Sequence, residues 1–333
     1  MSSDTILVTG AAGFIGFHLT RRLLADGFRV VGLDNLEPYY DVGLKKMRLD
    51  ALCAEANFAF HDLDLCHHGA VLALSEATRP AFVVHLAAQA GVRYSIEAPH
   101  AYQRANIDGF LSVLEACRHH PPRHVLYASS SSVYGANRKV PFAETDPVDL
   151  PVSFYAATKR SNEMMARSYA HLYRLPLSGL RFFTVYGTHG RPDMAYWSFT
   201  EAILKGEPVT LFNEGRMRRD FTHVSEVVSG IAGLLAHPPG EGRSPADEGG
   251  APHRLYNLGN NDPVELSRFV TAIERAAGRP AEIRYQPMPA GDVIETYADI
   301  SRLANLTGFR PAISIEDGMA EFVAWYRAYR SLN

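Results

Sequence analysis

Short apolar runs alternate with amphipathic stretches through the first half of the chain. Ile6–Val8, Val30–Leu33, Phe58–Phe60, Phe82–Leu86 and Val125–Tyr127 read as strands, and Leu177–Phe183 reads as a further one. Phe14–Ala25 has helical spacing and is ended by Gly27, while Ala101–Cys117 and Tyr155–Tyr173 read as long helices. This alternation is the signature of βαβ units around a parallel sheet. It predicts an α/β fold: a doubly wound parallel sheet of Rossmann type, followed by a smaller α/β C-terminal domain. The first domain is expected over residues 1–183 with a return segment near 222–260, and the second over 184–221 and 261–333. Beyond residue 184 the pattern is less regular, with helical stretches at Ser198–Leu204, Val224–Leu235, Leu266–Ala277 and Ile315–Arg330. Pro238–His253 is rich in Gly, Pro, Asp and Glu and reads as an exposed loop.

A length of 333 residues is long for one core and suits a large domain with an appendage. The net charge of −3 comes with dispersed basic residues, so no stripe for nucleic acid is expected. Cys53, Cys66 and Cys117 are far apart and odd in number, which points away from a disulfide framework and fits a reducing cytoplasm. His67-His68 and His119-His120 are adjacent pairs that face different ways on a helix, so no metal site is expected. No signal segment and no apolar run of membrane-spanning length are read in the sequence.

Gly10-x-x-Gly13-x-x-Gly16 falls between the first strand and the first helix, the context in which such glycines cradle a pyrophosphate. Phe14 and Ile15 open that helix, whose N-terminus adds free N–H groups and partial positive charge. Asp34 closes the second strand, where an acid binds adenosine ribose hydroxyls and repels a 2′-phosphate, so NAD is expected rather than NADP. The plainer reading of Asp34 is a turn cap. Asp62-Leu63 and Leu86-Ala87-Ala88 follow the third and fourth strands and are expected to flank the cofactor.

Tyr155-x-x-x-Lys159 places a phenol and an ammonium on one helix face, downstream of the serine run Ser129–Ser132. A tyrosinate at neutral pH needs roughly 4 kcal/mol of help from nearby positive charge. Lys159 and an oxidised nicotinamide ring are expected to supply it together. With the nucleotide fold and the hydroxyl cluster, the pair reads as the proton-handling half of a hydride-transfer site.

Several segments resemble the extended short-chain dehydrogenases/reductases that modify nucleotide sugars, and UDP-glucuronate 4-epimerases in particular. They are Asp34-Asn35-Leu36 with Tyr39-Tyr40-Asp41, the stretch from Leu86 to Ser95 that contains Arg93, Arg181–Gly187 and Gly190–Ala195. The resemblance covers essentially the whole chain. It implies that Tyr155 is the acid/base on the sugar 4-hydroxyl, that Lys159 also binds the nicotinamide ribose, and that Ser130 assists Tyr155. Asn35 is implied at the cofactor and Arg93 at the substrate. Ser131, Ser132 and Thr184 are implied donors to the sugar carboxylate, with Arg191 a counter-charge or gate; a turn serine and a surface arginine are the plainer readings.

Related decarboxylases usually carry Glu where Ser132 stands, and hexose epimerases Asn where Thr184 stands; both departures favour epimerisation of an acidic sugar. Arg218–Val224 resembles the segment whose arginine clamps the UDP phosphates, giving that role to Arg219. Val209, Leu211 and Phe212 resemble the strand that receives uracil, and Asp292 is implied at the uridine ribose. Pro289 stands where hexose epimerases commonly carry a second arginine, and Thr188-His189 departs from the usual loop beside Arg191. The resemblance further implies a homodimer built from the helices at Ala101–Cys117 and Tyr155–Tyr173. The rival readings are a neutral UDP-hexose 4-epimerase, a decarboxylating UDP-xylose synthase, and a dinucleotide-binding regulator without chemistry.

Overall fold

The strand β1 (Thr5–Thr9) is buried from Ile6 onward, and its neighbouring side chains enter opposite cores. Ile6 and Val8 pack with Val30, Val84 and Leu126 under the helices Phe14–Ala25 and Val224–Leu235. Leu7 packs with Val31, Val83 and Val125 against the helices Gly109–His119 and Phe154–Tyr173 on the other face. Burial on both faces explains why this strand reads as one apolar run rather than an alternation.

In the computed structural model, residues 4–240, 250–287 and 295–332 are described. Along the chain follow β2 (Arg29–Asp34), β3 (Phe58–Asp62), β4 (Phe82–His85), β5 (His124–Ser130), β6 (Leu177–Phe182), β7 (Thr184–Tyr186), β8 (Val209–Phe212), β9 (Arg218–His223), β10 (His253–Leu258), β11 (Pro263–Glu265) and β12 (Ile283–Gln286). The large sheet has the order β10-β6-β5-β4-β1-β2-β3, with every pairing parallel. Strand order reverses between β1 and β4, which opens a crevice at their C-terminal ends. Gly10 follows one of these strands and Leu86 the other.

The second region holds the small sheets β11-β9-β7 and β12-β8. Its core gathers Trp197, Phe221, Phe269 and Phe322. The helix Val224–Leu235 and β10 return to the large sheet, where β10 pairs with β6.

Four sequence readings change. Ala101–Cys117 is not one α-helix: Gln103–Asp108 winds as a π-helix between Pro99–Tyr102 and Gly109–His119. The wider turn places Asn106 so that it accepts from Gln89 N at 2.8 Å and donates to Thr158 Oγ1 at 3.0 Å, while Asn162 donates to its carbonyl at 2.6 Å. Those side-chain and backbone bonds compensate the poorer winding. The strand read at Val125–Tyr127 runs on to Ser130, which puts Ser129 and Ser130 at the C-terminal end of an interior strand. His253 is not loop: it is buried in β10, with Nε2 2.7 Å from the Tyr127 hydroxyl. Finally, Val42–Cys53 is a helix the apolar pattern does not announce, capped by Asp41, whose side chain accepts from Gly43 N at 2.8 Å.

Glu163, on the helix Phe154–Tyr173, binds Arg181 of β6 through two contacts of 2.8 and 3.0 Å and accepts from Ser129 Oγ at 2.7 Å. Both ionic side chains are 1% exposed, so this pair locks the helix to the sheet in a dry place. Burial works against the Glu163 charge, yet the arginine outweighs it and holds the carboxyl below the usual range. The pair therefore contributes fully at neutral pH and loses its contribution as pH falls through that lowered value. Glu163→Ala should cost about 3–5 kcal/mol by denaturant melting, because Arg181 is left buried and unpaired. A cost under about 1 kcal/mol would contradict that role.

Candidate active site

The chain leaves β1 at Gly10 with φ +74°. A Cβ there would stand 2.7 Å from the Ala87 amide nitrogen, and one on Gly16 would stand 2.0 Å from the Gly10 carbonyl oxygen. Neither position tolerates a side chain. The bare backbone so presented leads directly into the helix Phe14–Ala25, whose first amides and partial charge suit a pyrophosphate. Asp34 organises this loop: Oδ2 accepts from Ala12 N at 3.1 Å and Oδ1 from Leu36 N at 2.9 Å. It is a turn cap, and its remaining lone pairs are available to ribose hydroxyls.

A cavity of about 810 Å³ opens there, large enough for a dinucleotide end and a sugar. Its walls include Gly10, Gly13, Phe14, Ile15, Gly16, Asp34, Asn35, Leu63, Leu86, Ala87 and Ala88 at one end. At the other they include Ser130, Ser131, Ser132, Tyr155, Lys159, Thr184 and Arg191. Asp62 does not line it. As the last residue of the edge strand β3 it is exposed, and Asp64 takes the place in the wall, paired with Arg104 at 2.8 Å and accepting from Cys66 N at 2.9 Å.

Arg93, Val209, Leu211, Phe212 and Arg219 stand apart from this lining. Two of them meet: the Arg93 guanidinium lies 5.5 Å over the Phe212 ring, joining the loop after β4 to β8. Val209 and Leu211 point into the second core, and Arg219 is half-buried on β9 with Nη1 donating to the Arg218 carbonyl at 3.0 Å. Asp292 and Pro289 lie outside the described residues.

Ser153 caps the helix Phe154–Tyr173 by accepting from Ala156 N at 3.1 Å, which sets Tyr155 in its first turn. The Tyr155 ring packs edge-on against Tyr102, with centroids 6.0 Å apart. Lys159 Nζ lies 6.0 Å from the Tyr155 ring centroid and donates to the Ala128 carbonyl at 3.0 Å. Ser130 Oγ accepts from Ser132 N and donates to Ser132 Oγ, both at 3.1 Å, so the serine run is partly self-satisfied.

Burial pushes the Tyr155 phenol up, against the opposing pull of the Ser130 hydroxyl and the Arg191 guanidinium. Burial lowers Lys159 to about 8. The Lys159 ammonium lies over the Tyr155 ring while donating to a strand carbonyl, and in the chain by itself burial outweighs the groups that pull the phenol down.

Sequence reading missed Arg48, which is fully buried and has no carboxylate partner among the described residues. Its Nη1 donates to the Ala12 carbonyl at 2.9 Å and to the Tyr40 hydroxyl at 2.8 Å. Nη2 donates to the carbonyls of His189 at 2.6 Å and Gly190 at 2.9 Å. One guanidinium thus ties the glycine loop to the loop that carries Arg191. The unusual Thr188-His189 pair belongs to this tie. His189 takes φ +56°, and His18 Nε2 donates to the Thr188 carbonyl at 2.8 Å.

Residues 6–258 match the model of the NAD dependent epimerase/dehydratase family. The chain belongs to that family. It is 48% identical over 327 residues to a probable UDP-glucuronate 4-epimerase of Rhizobium meliloti (strain 1021), covering 96% of each protein. It is 43% identical to UDP-glucuronate 4-epimerase 1 of Arabidopsis thaliana, covering 99% of this chain and 78% of that one. The crystal structure of UDP-glucuronic acid 4-epimerase from Bacillus cereus, in complex with UDP-glucuronic acid and NAD, superposes with a TM-score of 0.87. The two are 30% identical, with 98% of this chain and 99% of that one covered. The fold class read from the sequence, a parallel Rossmann-type sheet, agrees with these relatives.

Gly16→Ala should lower the dinucleotide released on heat denaturation by at least about tenfold, since the new methyl displaces the Gly10 carbonyl from the cradle. Undiminished dinucleotide in the purified variant would contradict the cradle's role.

Proposed function

We propose that this chain is an NAD-dependent UDP-glucuronate 4-epimerase, converting UDP-glucuronate to UDP-galacturonate through a 4-keto sugar. One observation carries the reading: Ser130, Ser131, Ser132, Thr184 and Arg191 share a cavity wall with Tyr155 and Lys159, at the far end from the glycine cradle. Hydroxyl donors and one cation beside a proton-transfer group suit a sugar that bears an acid. Asp34, in the wall at the ribose end, favours NAD over NADP.

Bound NAD supplies the oxidant that accepts the hydride from sugar C4 and gives it back. Tyr155 Oη takes the 4-hydroxyl proton as the hydride leaves and returns it after the ketose has turned over. Ser130 steadies that proton at the phenol. Lys159 holds the nicotinamide ribose. The ketose is a β-keto acid, and it keeps its carboxyl group only if the C–C bond stays out of line with the carbonyl π system. Ser131, Ser132 and Thr184 fix that dihedral by donating to the carboxylate, with Arg191 as its counter-charge.

In this reading residues 1–183, with a return over 222–260, hold NAD, and residues 184–221 and 261–333 hold the UDP-sugar. Arg219 clamps the diphosphate, the backbone of Val209, Leu211 and Phe212 receives uracil, Arg93 closes over Phe212, and Asp292 binds the uridine ribose. The enzyme works in the cytoplasm as a homodimer. The described helices include none long and apolar enough to cross a membrane. The helices Gly109–His119 and Phe154–Tyr173 lie side by side, with Arg118 5.2 Å over the Tyr173 ring. Together they leave Leu111 38%, Met164 53% and Leu172 62% exposed, an apolar surface suited to the same pair of helices in a second copy.

Incubation with UDP-glucuronate should give UDP-galacturonate by NMR without release of carbon dioxide. A pentose product, or turnover of UDP-glucose alone, would overturn the choice of substrate. Tyr155→Phe should lower kcat by about 10²–10⁴-fold. Because Tyr155 must lose its proton to act as the base, kcat of the unaltered enzyme should rise with pH along its acid limb. A flat profile would remove Tyr155 as the base. Leu172→Glu should shift the sedimenting species from dimer to monomer, whereas an unchanged dimer would rule out this helix face.

A further inference from the structure

The Arg191 guanidinium is already engaged. Its Nε donates to Asp193 Oδ1 at 3.0 Å and its Nη2 to Oδ2 at 2.6 Å, the two-pronged geometry of a strong ion pair. Tyr39 Oη donates to the same Oδ2 at 3.2 Å. Tyr39 is itself fixed: a Cβ on Gly91 would stand 2.5 Å from its hydroxyl, and Tyr94 lies beside it with centroids 4.9 Å apart. The segments that follow β2 and β7 therefore meet at one carboxylate, and the segment after β4 packs against Tyr39. Arg191 and Tyr39 line the cavity, while Asp193 stands outside the lining. Burial opposes the charge on both partners, but each ion outweighs that effect on the other, holding Arg191 up and Asp193 down.

We propose that Asp193 is a positioning residue that shares Arg191 with the acid group of the sugar, keeping that grip weak enough to be released once per turnover. This rests on the reading of the substrate as an acidic nucleotide sugar. The ketose has to turn over inside the cavity before the hydride returns to its other face, and the carboxylate turns with the ring. Each contact it makes must break and form again. An unshared guanidinium in a site screened from water would hold the carboxylate hard. Such binding deepens the ground state, lowering KM without helping kcat. Asp193 competes for the same N–H groups and so levels the two orientations. Tyr39 sets the strength of that competition, because its hydroxyl draws charge from Oδ2.

Steady-state kinetics of Asp193→Asn with UDP-glucuronate test this. The amide cannot accept both prongs, so KM should fall about three- to tenfold and kcat should fall at least as much. A merely structural role would lower kcat with KM unchanged or raised, and that result overturns the proposal. Tyr39→Phe gives the opposite sign: Oδ2 returns fully to Arg191, and KM should rise about two- to threefold. A KM for Tyr39→Phe that is equal or lower also overturns the proposal. No turnover by the unaltered enzyme would strike the epimerase reading itself. Calorimetric binding of UDP-glucuronate to it and to Asp193→Asn would then decide the role of Asp193, with tighter binding by the variant supporting it and equal or weaker binding overturning it.

Discussion

Burial sets the two proton-handling groups of this site against their working forms, and the rest of the structure answers to that constraint. The Tyr155 phenol is pushed up and the Lys159 ammonium down by the same loss of water. A lone ammonium facing the strand carbonyl of Ala128 does not reverse this. In the proposed function, positive charge from a bound oxidised dinucleotide joins that of Lys159 in making the phenol a base. Proton transfer is thereby tied, in this reading, to the loaded enzyme, so the close fit of the Gly10–Gly16 cradle bears on chemistry as well as on binding.

The sugar end obeys the same electrostatics with the sign reversed. An acidic substrate brings charge into a site that water has left, and each partner that meets it must be strong enough to bind and weak enough to release. In the proposed function the hydroxyls of the serine run give the weaker hold, with Ser130 and Ser132 already hydrogen-bonded to one another. Arg191 meets it with a full charge tempered by Asp193. The Arg48 guanidinium then joins this loop to the glycine loop through the carbonyls of Ala12, His189 and Gly190, so the two loops share one buried cation.

Much of this was legible in the chain because local pattern determines it. Buried parallel strands show as apolar runs, Gly10 and Gly16 show as a spacing, and Tyr155 with Lys159 shows as one helical turn. Other features depend on contacts between segments distant in sequence. Arg48 sits in a helix with little apolar periodicity, and only the folded chain brings the carbonyls of Ala12, His189 and Gly190 around it. Asp64 displaces Asp62 from the cavity wall because β3 is an edge strand whose end faces solvent. The π-helical turn at Gln103–Asp108 has the composition of an ordinary helix, and its winding is set by Asn106 reaching Gln89 and Thr158. Asp193 reads as part of a motif, while its bond to Tyr39 joins two loops far apart in sequence.

In the proposed reaction one hydride leaves C4 and returns to the same carbon without exchange with solvent. Running the reaction on UDP-glucuronate in deuterium oxide and examining the epimer by proton NMR tests it most directly. UDP-galacturonate should form with its C4 hydrogen fully retained as protium and none of the other ring carbons deuterated. Deuterium at C4 would contradict it, because inversion would then proceed by loss and recapture of a proton at carbon.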